Sequence, residues 1–224
     1  MNGCGASVDR QPPVYIISGE RGEGKTGFLM EILAELSGKG VRVRGIAAPG
    51  HIRGGARSGF SVLDLATGMS EELCSVTPSL GCEQHGIYYF RPEGLSFGYR
   101  ALSPPVPGKT DLLVIDEVGK FELEGAVWAG CIDRLVGMPY PPMIWTVRRS
   151  LVDAVAERWP TTRQIVVEVG SAGHEAVIRD LLEEVGIYRS VREEIYTTSG
   201  NPVSANSSPD FGRGHPGVLP SLRL

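Results

Sequence analysis

The stretch Val14-Tyr15-Ile16-Ile17-Ser18, followed by Gly19-Glu20-Arg21-Gly22-Glu23-Gly24-Lys25-Thr26, decides how the rest of the chain is read. Its first part is short, apolar and β-rich, as a strand covered on both faces must be. Its second part fits G-x-x-x-x-G-K-[ST], a pattern that needs a strand before it and a helix after it. Phe28, Leu29, Ile32, Leu33 and Leu36 recur at helical spacing, and Gly38 and Gly40 end the run. Residues 41–47 then read as a second strand, which completes a βαβ unit. In such a loop the glycines let backbone N–H groups turn inward around phosphate oxygens. The helix N-terminus adds its partial positive charge. Lys25 reaches the β- and γ-phosphates, and the Thr26 hydroxyl ligates Mg²⁺. The nucleotide-binding run is therefore Gly19, Glu20, Arg21, Gly22, Glu23, Gly24, Lys25, Thr26 and Gly27. Glu20 and Glu23 are acids beside an anion site and must point to solvent. The bland alternative is a chance glycine-rich turn, which the flanking strand and helix disfavour.

A phosphate loop of this kind needs an acid at the end of a neighbouring buried strand. Leu112-Leu113-Val114-Ile115-Asp116-Glu117 supplies it. Asp116 falls at the carboxyl end, where ligands of open α/β sheets bind, and is the second metal-site residue beside Thr26. Glu117 is placed to deprotonate the attacking water. Charge developing on the transferred phosphoryl group calls for a further cation. Arg53 and Arg57, on a flexible loop over residues 51–60, and Lys120, three residues after Glu117, are candidates, with Arg148 behind them. Each one alone is also an ordinary solvated charge. Tyr88, Tyr89 and Phe90 suit stacking on a base, but an alternation between core and surface explains them more simply. Trp128, Trp145 and Trp159 lie in apolar periodic segments and read as core.

Composition sets the outer limits. The chain has 224 residues, 42% hydrophobic and 21% charged, enough for one domain with a sizeable core. The net charge of −4 argues against nucleic-acid binding by bulk electrostatics. No apolar run approaches the ~18 residues of a membrane span, and residues 1–13 carry no apolar signal core. Cys4, Cys74, Cys82 and Cys131 form no C-x-x-C pair, and the four histidines show no ligand spacing. The expectation is a cytoplasmic protein with free thiols. Oligomeric state stays open, with a monomer admissible.

Further strands are expected at residues 59–65, 86–90, 111–116, 143–147 and 164–169. Helices are expected around 127–135, 151–158 and 174–185, and residues 103–108 are a Pro/Gly break. Alternating strands and helices predict an α/β fold of three layers with a mostly parallel sheet and a short β-hairpin insertion, and the G-x-x-x-x-G-K-[ST] loop marks it as a P-loop NTPase fold. The expected organisation is a flexible segment 1–13, one domain 14–190 and a disordered tail 191–224. Gly, Pro, Ser and Asn fill 14 of the 22 positions 199–220.

The chain resembles the THEP-type, or cancer-related, nucleoside-triphosphatases. The resemblance covers about residues 14–185 and rests on four places. They are Gly19 to Thr26, Gly45-Ile46, the run from Arg57 to Leu65 with Gly68, and Ile115-Asp116-Glu117-Val118-Gly119-Lys120-Phe121-Glu122-Leu123. The last is the most telling, because Asp-Glu is followed closely by Gly and by an apolar-Glu-apolar triplet. The resemblance implies a compact P-loop fold and Mg²⁺-dependent hydrolysis of ATP, GTP or other NTPs to NDP and phosphate. Two departures matter. Gly27 stands where the family often has a second hydroxyl residue. Gly170-Ser171-Ala172-Gly173-His174 replaces an Asn-Arg-Asp type turn, so base preference is not carried over.

Two other functions compete. A kinase would pass the γ-phosphoryl group to a nucleotide or small acceptor, but it needs an acceptor pocket and an arginine-bearing lid. A switch or adaptor would bind nucleotide without turnover, and Glu117 speaks against it. Deleting residues 199–224 should leave folding and turnover nearly unchanged. Ordering a backbone costs ~1–2 kcal/mol per residue, which this composition cannot offset by burial. A thermal melt and a Michaelis curve check this: a melting point several degrees lower, or a strongly raised KM, contradicts it.

Overall fold

A computed structural model describes residues 13–103, 109–137, 141–161, 164–170 and 174–198. Residues 1–12, most of the expected Pro/Gly break at 103–108, residues 171–173 and the expected tail from 199 onward lie outside the described residues. The elements run β1 (Val14–Gly19), α1 (Lys25–Gly38), β2 (Val43–Ala47), β3 (Gly50–Arg53), β4 (Ala56–Asp64), β5 (Ser70–Ser75), β6 (Glu83–His85), β7 (Tyr88–Phe90) and α2 (Pro92–Ala101). They continue with β8 (Leu112–Val118), α3 (Lys120–Leu123), α4 (Ala129–Val136), β9 (Met143–Arg148), α5 (Val152–Arg158), β10 (Gln164–Glu168) and α6 (His174–Thr198).

One sheet joins all ten strands, in the order β10-β1-β9-β8-β2-β4-β5-β7-β6, with β3 paired to β4. The first five are parallel, with Val14 opposite both Gln164 and Met143, and Leu112 opposite Val43. From β4 onward the ladders are antiparallel. All six positions of β1 are buried. Successive side chains of a strand point to opposite faces, so β1 feeds two cores. Val14 and Ile16 pack with Trp128, Trp145 and Trp159, on the face covered by α2, α4 and α5. Tyr15 and Ile17 pack with Phe28, Leu29 and Ile32 of α1 and with Val177, Ile178 and Leu181 of α6. This is the three-layer α/β arrangement. Among the described residues no helix is long and apolar enough to cross a membrane.

Three features depart from the sequence expectations. Residues 51–60 are not a flexible loop but two paired strands, β3 and β4, turning at Gly54-Gly55. The hairpin belongs to a wider antiparallel extension that also contains β5, β6, β7 and α2. α2 carries Pro92 at its start, Gly94 and Gly98, which read as turn residues in a sequence. Here the glycines mark close packing: a Cβ on Gly94 would lie 2.3 Å from the Glu72 carbonyl, and one on Gly98 2.2 Å from the Trp128 ring. Finally, α6 continues thirteen residues past Val185, across the expected domain end at 190.

The extension of α6 has a polar cause. Asp111, fully buried just before β8, accepts the Arg42 backbone N–H at 3.0 Å and the Arg42 Nη2 donor at 2.7 Å. It also accepts Arg189 Nη2 of α6 at 2.7 Å, and Arg189 bonds the Gly40 carbonyl at 2.9 Å. Burial alone would raise the Asp111 pKa. The hydrogen bonds from Arg42 and Arg189 outweigh it and hold the carboxyl well below the usual carboxylate range. A depressed folded-state pKa contributes stability above the unfolded value, about 3.9, and that stability is lost as pH falls below it. Asp111→Asn should therefore destabilise the fold by about 1.5–3 kcal/mol at neutral pH. Urea denaturation checks this, and the gap from wild type should narrow as the pH drops below about 4.

Candidate active site

The loop from β1 to α1 is built by backbone conformation. Gly22 and Gly24 have φ of 88° and 89°, in the left-handed region that L side chains avoid. The turn at Gly24 places Lys25 at the first position of α1, where the unpaired N–H groups of a helix face outward. Lys25 is only 7% exposed. Its Nζ donates to the carbonyls of Gly19 at 3.0 Å and Glu20 at 3.1 Å, so the ammonium is folded into the loop. Thr26 stands one residue on, half-buried, and Gly27 is exposed. The two loop acids are drawn aside. Glu23 accepts the Glu20 backbone N–H at 2.8 Å, and Arg149 approaches Glu23 at 3.3 Å and Glu20 at 4.0 Å. Glu168 holds the same arginine at 2.8 Å.

The acid side is organised by a residue the sequence reading missed. β8 is not the direct neighbour of β1, because β9 lies between them. Thr146, near the end of β9, is fully buried. Its hydroxyl donates to Asp116 Oδ1, while its oxygen accepts the Glu117 backbone N–H at 2.7 Å. The other Asp116 oxygen accepts the Ala48 N–H, just past β2, at 2.8 Å. A hydroxyl inside the apolar run Met143-Ile144-Trp145-Thr146-Val147 was the available signal.

Glu117 has φ 65°, uncommon for a residue with a side chain. The ladder between β8 and β9 is irregular between Ile115 and Val118. Such an irregularity re-aims a side chain that strict alternation would send to the opposite face. Glu117 therefore lines the same cleft as Lys25. Its carboxylate is reached by solvent through the cleft mouth and enclosed by protein elsewhere. That partial desolvation, then the Asp116 charge, raises its pKa, while Lys25, Arg57 and Arg148 pull it back.

The expected cations separate. Arg57 lines the cleft, with its guanidinium 5.0 Å from the Phe60 ring centre. Lys120 also lines it, in an exposed 3.6 Å ion pair with Glu124. Arg53 does not join them; it sits exposed at the hairpin tip, paired with Ala56 across the turn. Arg148, at the end of β9, and Arg21 of the loop complete the cationic lining. Arg21 reaches across to the Tyr88 hydroxyl at 3.4 Å. Glu122, 3% exposed, accepts the Gly119 N–H at 2.9 Å. Burial pushes its carboxyl up to about 7.

Three comparisons place this chain among known proteins. The family model described as NTPase matches residues 14–182, from β1 into α6. The nucleoside-triphosphatase THEP1 of Korarchaeum cryptofilum is 33% identical over 118 residues, 51% of this chain and 58% of that protein. The nucleoside-triphosphatase THEP1 of Hyperthermus butylicus is 29% identical over 189 residues, covering 83% of this chain and 94% of the relative. The solution structure of a human cancer-related nucleoside triphosphatase superposes with a TM-score of 0.55 at 23% identity, covering 77% of this chain and 96% of that one, which shows a shared fold. A glycine-rich loop after the carboxyl end of β1, an Asp-Glu pair near the end of β8 and a family match across three quarters of the sequence lead to one conclusion: the chain belongs to the NTPase family.

Proposed function

We propose that this chain hydrolyses nucleoside triphosphates, ATP and GTP among them, to the diphosphate and phosphate in a Mg²⁺-dependent reaction. The observation that carries the reading is one cleft lined by both Lys25 and Glu117, a phosphate-binding cation and a carboxylate of raised pKa. The loop N–H groups and Lys25 bind the phosphates, with Lys25 leaving its carbonyl partners as it meets the β- and γ-oxygens. Glu117 accepts a proton from the attacking water, and its raised pKa improves the match between base and task. Arg57 and Arg148 face the developing negative charge, with Lys120 and Arg21 at the margins. Fixed cations aimed at charge that grows in the transition state are among the largest contributions to catalysis.

Thr26, half-buried beside Lys25, would offer Mg²⁺ a hard hydroxyl oxygen, while Asp116, fully buried with both oxygens already hydrogen-bonded, would act on the ion through its charge. A Mg²⁺ ion in such sites keeps several waters and takes phosphate oxygens and one or two protein oxygens. When bound, the ion supplies charge neutralisation and orientation of the phosphates. Thr146 keeps Asp116 and Glu117 in register through its hydroxyl.

The test is phosphate release from ATP, GTP, CTP and UTP, with and without Mg²⁺ and with no acceptor present. Steady turnover supports hydrolysis; binding without turnover refutes it in favour of a switch. Lys25→Ala should lower turnover by about 10²–10³-fold, the usual effect of removing one fixed electrostatic contact. Unaltered turnover in that variant would remove the phosphate loop from the mechanism. Glu117→Gln should retain nucleotide binding and lose about 10²–10⁴-fold in kcat. The wild-type rate should fall on acidification at a pH above the ordinary glutamate range, because Glu117 must be ionised to accept the proton. That acidic limb should flatten in Glu117→Gln, and a limb that persists unchanged assigns the proton acceptor to another group.

A further inference from the structure

Arg57 is seated by a glycine of the neighbouring strand. A Cβ built on Gly50 would lie 1.3 Å from Arg57 Nη1 and 2.3 Å from Arg57 Cζ. The guanidinium therefore fills the space that any side chain at position 50 would take. Gly50 is not among the glycines of positive φ, so its backbone conformation does not call for glycine. What the missing side chain provides is room for the arginine. Gly50 stands opposite Phe60 in the β3–β4 ladder, and residues directly opposite share a face. The guanidinium lies 5.0 Å from the Phe60 ring centre, so the slot has Gly50 for a floor and an aromatic ring for a wall.

A bulge brings Arg57 to that face. Side chains alternate along a strand, so Arg57 and Phe60, three positions apart, would otherwise point to opposite sides of the sheet. The register shifts between His51, which pairs with Gly59, and Ile52, which pairs with Arg57, leaving Ser58 as the extra residue. One extra residue restores Arg57 to the side of Phe60. The floor is tied to the acids. Two residues before Gly50, the Ala48 N–H donates to Asp116 at 2.8 Å. The Pro49 carbonyl accepts the Ser61 N–H at 3.0 Å, and the His51 ring is hydrogen-bonded to the Ser61 hydroxyl at 2.8 Å. Position 50 is thus fixed from both sides relative to Asp116.

Arg57 lines the same cleft as Lys25 and Glu117. Among the described residues no carboxylate forms an ion pair with it, whereas Lys120 is paired with Glu124 and Arg149 with Glu168. A cation already in place and not neutralised costs no reorganisation when charge develops beside it. We propose that Gly50 is a positioning residue: by leaving open the slot that seats the Arg57 guanidinium, it presets this arginine as the cation that meets the charge growing on the γ-phosphoryl oxygens. The proposal rests on the hydrolysis reading above and adds to it which cation carries that charge and what holds it. The arginine comes from the same chain, so turnover needs none from a partner.

The experiment is a double-mutant cycle on the full chain, with wild type, Gly50→Ala, Arg57→Ala and the double variant assayed by phosphate release from ATP with Mg²⁺. Arg57→Ala should lower kcat by about 10²-fold or more, the usual effect of losing one contact to transition-state charge. Gly50→Ala puts a methyl group where the guanidinium lies and should lower kcat by roughly tenfold or more with little change in KM. In the Arg57→Ala background the same substitution should have no effect. A second readout separates positioning from damage to the fold. ADP with aluminium fluoride, which imitates the phosphoryl group in flight, should bind Gly50→Ala more weakly than wild type, and ADP alone should bind both equally. Where Gly50→Ala does not fold, Phe60→Leu, which removes the ring beside the guanidinium, takes its place in the cycle. A loss that persists unchanged in the Arg57→Ala background overturns the positioning role, as does a Gly50→Ala variant that turns over at the wild-type rate or faster. Arg57→Ala at the wild-type rate overturns the cation assignment and leaves hydrolysis standing. A wild-type protein that releases no phosphate overturns the hydrolysis reading, and this inference with it.

Discussion

A carboxyl group with no exposed surface must have its oxygens filled from within the protein, and at Asp116 this requirement sets the site. One oxygen is filled by the Ala48 N–H and the other by the Thr146 hydroxyl. The donors follow β2 and belong to β9, while the acid itself ends β8. Three parallel strands are thereby tied at their carboxyl ends by one side chain. Because β9 also pairs with β1, the same tie fixes the distance from the acids to the phosphate loop. Thr146 passes the constraint on through the Glu117 N–H, so the neighbouring carboxylate is held by its backbone while its side chain stays in the cleft.

The rest of the site is a balance of charge around that frame. Two acids stand in the glycine-rich loop, yet Arg149 holds both and is itself held by Glu168 of β10. Lys25 is folded onto loop carbonyls, which keeps a buried ammonium hydrogen-bonded. On the opposite wall Glu117 adopts a left-handed backbone conformation. Such conformations cost of order 1–3 kcal/mol and persist only where the surroundings over-determine them. The hydrogen bond from its N–H to Thr146 and the break in the β8–β9 ladder are the surroundings that do so.

Legibility in the sequence followed the kind of signal each element carried. β1, α1, β8 and β9 announce themselves because burial on both faces, or on one helical stripe, leaves a periodic apolar record. α2 does not, since Pro92, Gly94 and Gly98 speak for turns, and the close approach of Glu72 and Trp128 that explains the glycines is a tertiary fact. The strands β3, β5 and β6 are short and half-exposed, with no periodic stripe to find. Arg53 and Arg57 looked equivalent four residues apart, but pairing across a tight turn sends one to the tip and the other to the cleft.

By itself the sequence determined the glycine-rich loop between a buried strand and a helix, the adjacent Asp-Glu pair, the α/β alternation and the family, because each is written in contiguous residues whose types and spacing carry the signal. Only the tertiary structure decided which strand separates β1 from β8, and hence that Thr146 joins the site. It also decided that α6 runs on to Thr198 through Arg189 and Asp111, 78 positions apart. The apolar lining of the cleft is of the same kind, gathered from β4, β5, β7, α3 and the turn before α4. Pairing order and long-range hydrogen bonds depend on which surfaces meet, and no stretch of contiguous residues encodes that.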